Sequence, residues 1–82
     1  MPRTTLRKSL RSTGHRRLVA LLIKSRKAAD LTQRDLAALL KRPHSFVGRL
    51  EAGERRLDVV EFIEIAAALE VDPKDLFSQL ID

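Results

Sequence analysis

From Thr32 to Pro73 the chain is divided into short blocks by residues that start or stop helices, and this punctuation constrains the fold more than any other feature. Thr32 is an N-cap residue with Asp35 three positions on, a variant of the capping box. "QRDLAALL" follows, with Leu36, Ala37 and Leu40 on its apolar side. Pro43 suits the first position of the next helix, where its missing N–H is no loss, and Gly53 suits the C-terminal cap that ends it. Asp58 caps a fourth segment, about Val59 to Leu69, with Phe62, Ile65, Ala66 and Leu69 on one face. Pro73 opens a short fifth segment in "VDPKDLFSQLI". Ahead of these, Leu18, Leu21, Leu22 and Ser25 recur at helical spacing and predict a first helix from about His15 to Ala29. No run alternates in the manner of a strand, so the expected fold class is all-α, with five helices and no repeats.

The charge is distributed unevenly. The 82 residues carry a formal net charge of +5. Residues 1–30 hold nine basic side chains and one acidic one, whereas residues 61–82 hold one basic and six acidic. A basic front points to a polyanionic partner, and an acidic rear to something else. Residues 1–14 contain Arg3, Arg7, Lys8 and Arg11 with few apolar groups, and read as a flexible basic arm ahead of a folded domain over 15–82. The chain has no cysteine, which excludes a disulfide framework or thiolate metal site and suits the cytoplasm.

Two function classes fall away. The apolar run Leu18 to Ile23 is too short for a signal-peptide core or a membrane span. A surface-lying amphipathic helix is the remaining membrane reading, against which stand the further apolar helices available to bury it. Catalysis lacks a constellation: His15 and His44 are far apart, there is no phosphate-binding glycine loop and no nucleophile elbow, and the acidic residues of the tail read as solvated helix faces. No cofactor and no metal is expected.

The segment "HSFVGRLEAG", His44 to Gly53, carries the sharpest signal. Its buried side is Val47 and Leu50, with Phe46 at the edge. The opposite side is His44, Ser45, Gly48 and Arg49. A glycine inside a helix costs about 1 kcal/mol relative to alanine, so Gly48 asks for a reason.

"LTQRDLAALLKRPHSFVGRLEAGERRL" followed by "EIAAALEVDPKDLF" resembles the XRE family, the phage-repressor and Cro type of helix-turn-helix, over about Leu18 to Phe77. The resemblance implies a five-helix lambda-repressor-like bundle and sequence-specific binding of double-stranded DNA by a homodimer at a palindromic operator. It also implies a cytoplasmic protein of the bacterial nucleoid-associated or phage-encoded type. The second helix of the unit enters the major groove, which makes His44, Ser45, Gly48 and Arg49 the base-reading set. Arg49 has the fork for guanine O6 and N7. Gly48 either lets the helix approach the groove floor or marks a tight helix crossing. By register, Gln33 resembles the family glutamine that grips a phosphate and braces the recognition helix. Arg55 and Arg56 match a loop that touches phosphates. Lys41 and Arg42 are either phosphate contacts or a solvated pair. Where Lys41 stands the family commonly has glycine, so the turn is expected to lack a left-handed residue. Ala52 replaces a polar phosphate contact. Arg26 and Glu51 match a buried ion pair that fixes the third helix against the first.

Val60, Ile63 and Ala67 form a second apolar stripe on the fourth helix, and with Leu76 and Leu80 predict the dimer interface. Two functions share the same DNA face. One is a transcriptional repressor. The other is an antitoxin-type interaction module with autoregulatory DNA binding, whose acidic C-terminal region meets a protein partner.

Overall fold

The computed structural model describes residues 12–81, so Arg3, Arg7, Lys8 and Arg11 of the expected arm lie outside the described residues. Five helices follow in order: α1 (Thr13–Ala28), α2 (Gln33–Leu40), α3 (His44–Glu51), α4 (Val59–Ala68) and α5 (Pro73–Ile81). Among the described residues there is no strand, and no helix is long and apolar enough to cross a membrane.

Caps set the starts. The Ser12 hydroxyl accepts from the His15 N–H at 3.1 Å, so α1 begins at Thr13. Thr13 and Gly14, placed in the arm by composition, are therefore in its first turn. Thr32 and Asp35 form a reciprocal capping box at the head of α2, with bonds of 3.0 and 2.9 Å. Asp58 and Glu61 form a second at the head of α4, at 2.7 and 3.1 Å. Pro43 is the N-cap of α3 rather than its first residue, and its carbonyl accepts from the Phe46 N–H at 2.9 Å.

One device closes α1 to α4. A left-handed residue follows each: Asp30 (φ 61°), Lys41 (φ 57°), Gly53 (φ 76°) and Glu70 (φ 59°). The N–H after it then donates back to a carbonyl of the last turn: Leu31 to Arg26, Arg42 to Ala37, Glu54 to Arg49 and Val71 to Ala66, at 2.9–3.2 Å. This is the Schellman closure, which satisfies helix-end carbonyls. Lys41 thus corrects the expectation that losing glycine there removes the left-handed turn; the closure forces the conformation on a lysine.

The α2–α3 pair packs with α1 against α3 and α4 against α2, while α5 bridges α4 and α1. The core centres on Leu22, Leu36, Val47, Leu50, Ile65 and Leu76. Phe46 is part of it rather than at its edge. Leu76, expected at a dimer interface, is 1% exposed, because the face that starts α5 turns inward onto α4 and α1.

A non-glycine residue in the left-handed region is disfavoured by about 1–2 kcal/mol. Lys41→Gly relieves that strain while adding unfolded-state freedom, and is expected to stabilise the domain by about 0.5–1 kcal/mol. Thermal unfolding checks this as a melting temperature several degrees higher, at about 4–8 °C per kcal/mol for a domain of this size.

Candidate nucleic-acid interface

The apolar side of α3 is sunk into the bundle, with Val47 and Leu50 essentially inaccessible. That burial turns His44, Ser45 and Arg49 outward as exposed side chains, with Gly48 half-buried between them. A Cβ added to Gly48 meets the Gln33 Oε1 at 3.6 Å and nothing tighter. This is ordinary van der Waals contact. No helix crossing among the described residues requires glycine there.

Two charge clusters, each built on a buried carboxylate, hold α3 at its ends. Glu51, in the last turn, receives Arg26 of α1 in a bidentate pair, Nε to Oε2 at 2.6 Å and Nη2 to Oε1 at 3.0 Å. Both side chains are at least nine-tenths buried. The Arg26 Nη1 donates to the Leu31 carbonyl at 2.7 Å, and the Gln33 Nε2 donates to the Glu51 Oε1 at 2.9 Å. The Glu51 bond raises the Arg26 pKa further above its ordinary value.

The other cluster surrounds Glu61, which sequence reasoning missed. Arg55 donates to both its oxygens, at 2.9 and 2.8 Å, and Arg42 adds a bond of 3.3 Å. Both guanidinium groups lie over the Phe46 ring, 4.7 and 4.6 Å from its centroid. Such cation–π contacts favour Arg over Lys. The Arg55 hydrogen bonds, with help from the Asp58 N–H, hold the Glu61 carboxyl down at about 2. Arg55, expected as a phosphate contact, and Arg42, expected as either a phosphate contact or one of a solvated pair, tie the α3–α4 loop and the turn to α4. Asp58-x-x-Glu61 is a capping-box spacing, and it is the signal that could have found this residue.

The remaining expected site residues are placed as follows. Lys41 and Arg56 are exposed, and Gln33 stands at the exposed first turn of α2. Val60 and Ile63 are 64% and 49% exposed; Ala67 is exposed and Leu80 half-buried. His15 is a second omission: it is buried beside Arg56, and its Nε2 has no hydrogen-bond partner among the described residues. Burial, then the Arg56 charge, lowers its pKa.

Two stability tests follow from these clusters. Glu51→Ala strands the Arg26 charge and is expected to cost about 3–5 kcal/mol, lowering the melting temperature by more than about 10 °C. The pH test has a definite sign. Glu61 is a depressed carboxylate, so its stabilisation is complete above its ordinary value of 4.5 and drains away as pH falls toward about 2. His15 is a depressed histidine, so its neutral form is tolerated and stability is lost as pH falls below 6.5. Denaturant melts from pH 7 to 2 should show loss in both windows. Glu61→Gln flattens the lower window and lowers stability at pH 7 by on the order of 2–3 kcal/mol.

Residues 22–76 match the helix-turn-helix family. Among solved structures the chain is similar to an XRE-family like protein from Pseudomonas syringae pv. tomato, at 41% identity and a TM-score of 0.82, covering 95% of each chain. It is similar to the restriction-modification controller protein C.AhdI from Aeromonas hydrophila, at 32% identity and a TM-score of 0.73, covering 80% of this chain and 100% of that one. It also resembles the controller protein C.Esp1396I, solved as a tetramer in complex with its natural 35 base-pair operator, at 26% identity and a TM-score of 0.78, covering 85% of this chain and 92% of the other. Among curated proteins no sequence matches. With matched residues spanning more than half its length, and a 41% identical relative along nearly all of it, the chain belongs to the XRE-type helix-turn-helix family of DNA-binding transcription regulators.

Proposed function

We propose that the protein is a sequence-specific, non-enzymatic repressor that binds a palindromic operator as a homodimer and reads the major groove with α3. The observation that carries this reading is the outward face of α3, where His44, Ser45 and Arg49 stand exposed on a helix anchored at both ends. A helix so held presents its side chains without the cost of ordering its backbone, which favours base readout. Arg49 takes a guanine edge, and Ser45 and His44 contact neighbouring bases or phosphates. Lys41 and Arg56, exposed to either side, meet the backbone. Gly48 leaves the groove-facing surface free of a methyl. The operator-bound relative supports DNA as the partner.

The exposed Val60, Ile63 and Ala67 stripe on α4, continued by Leu80, supports a two-fold dimer. Such a dimer sets two α3 helices about one turn of DNA apart, ~34 Å.

Selection of bound sequences from a random duplex library tests the reading, with a palindromic motif as the expected result. Three variants sort the roles. Arg49→Ala should cost about 1–3 kcal/mol on the selected site and relax preference at one base pair per half-site. Arg56→Ala should weaken all duplexes alike and lower the salt slope by about one. Gly48→Ala should melt higher by roughly 0.5–1 kcal/mol yet bind the selected site less tightly. A Gly48→Ala protein that melts higher and binds equally well takes the groove away from that position.

A further inference from the structure

We infer that DNA binding by this protein is coupled to a proton at His15: a backbone phosphate seated on Arg56 relieves the positive field on the buried imidazole, which then takes up a proton, so that the duplex is held more tightly as pH falls below 7. The inference rests on the DNA-binding reading above, and within it gives a regulatory duty to a buried group that base readout does not use.

The surroundings of His15 disfavour its charged form in the free protein. The residue is 7% exposed, in the first turn of α1, and its Nε2 has no hydrogen-bond partner among the described residues. It lies between two clefts. One is lined by Arg17 of its own helix and Arg56 of the α3–α4 loop, with Leu80 and Ile81 of α5, and no acidic residue lines it. The other is lined by Arg16 of α1 and Glu51 of α3, but Arg26 holds both oxygens of that carboxylate. The charged groups that face the ring are thus three arginines and one neutralised carboxylate. An imidazolium donates from both nitrogens, and here one of them has no acceptor. Burial first, then the Arg56 charge, keeps the imidazole below its ordinary value of 6.5.

Arg56 is the member of this group that DNA changes. It is exposed, and no carboxylate among the described residues pairs with its guanidinium, whereas Glu61 captures the neighbouring Arg55. A phosphate against Arg56 offsets its charge and brings a negative field to the mouth of the same cleft. The midpoint of His15 then rises. Linkage is reciprocal: if bound DNA raises the affinity for a proton, the proton raises the affinity for DNA by the same factor. The other histidine of the chain, His44, stands on the outward face of α3, so a sound test separates the two.

NMR titration of the two imidazoles from pH 8 to 5.5 at constant salt, in free protein and on the selected duplex, reads each histidine by itself. The His15 midpoint is expected to rise on binding. In free Arg56→Gln protein it should already stand above that of free wild type, and binding should move it by less than half as much. Affinity gives the second readout, in a His44→Gln background that leaves His15 as the sole histidine. A dimer there should bind about fourfold more tightly at pH 6 than at pH 8, about twofold per protomer. Adding His15→Gln should flatten that dependence, with circular dichroism verifying the folded fraction. A His15 midpoint that is the same in free and bound protein overturns the inference. So does a rise that persists in full in Arg56→Gln, because the general field of the duplex then supplies it. Loss of all pH dependence in His44→Gln likewise overturns it, and if that background binds too weakly to measure, the wild-type titration decides alone. Wild-type protein that selects no duplex at all is a different outcome, which removes the DNA-binding reading itself.

Discussion

The Arg26–Glu51 pair joins the last turn of α1 to the last turn of α3, and the outward placement of the exposed face of α3 depends on it. An eight-residue helix has too few turns to hold itself in water. A carboxylate at its C-terminal end is moreover opposed by the helix dipole. Arg26 answers both problems. It neutralises Glu51, docks the end of α3 onto α1, and donates from its third nitrogen to the Leu31 carbonyl, so that each nitrogen of the buried guanidinium has a partner. Gln33 enters the same network, which brings the head of α2 into register with the end of α3.

The opposite end of α3 is held by different chemistry. Phe46 fills the gap between the helix-turn-helix turn and the loop before α4, and the guanidinium groups of Arg42 and Arg55 cover its ring. Glu61 draws both arginines down. Two guanidinium groups from separate segments thus converge on one carboxylate, which is itself fixed by the Asp58 capping box. The turns that end α1 to α4 share one left-handed closure, three of them without glycine. The local strain is tolerated because long-range packing over-determines these positions. Two acidic anchors therefore hold basic side chains that charge counting alone would assign to DNA, and His44, Ser45 and Arg49 remain as the exposed side chains of α3.

Much of this was legible in the residue order. The helix count, the cap residues Thr32, Asp58 and Gly53, and the buried side of α3 all follow from spacings of three and four within single segments. The Arg26–Glu51 match came by resemblance, since a spacing of 25 residues has no local signature. Other features were not legible. Leu76 and Ile63 are both apolar residues on amphipathic helices, yet one is buried and the other half exposed. Nothing within either helix distinguishes them, because the distinction is made by which neighbouring helix covers which side. Arg42, Arg55 and Arg56 look alike in a basic stretch, but Glu61 captures only the first two. Ser12 as the first cap was hidden by the basic composition around it, and the burial of His15 has no local signature.

The sequence by itself determined the family, the all-α class and the side of α3 that faces outward, since these rest on local periodicity, capping and order along the chain. Tertiary structure alone decided which arginines are free, where the left-handed turns fall on non-glycine residues, and how the Gln33 amide is turned. Each of these is set by a contact between segments far apart in the chain, where one carboxylate can satisfy only the donors that the fold brings within about 3 Å of it.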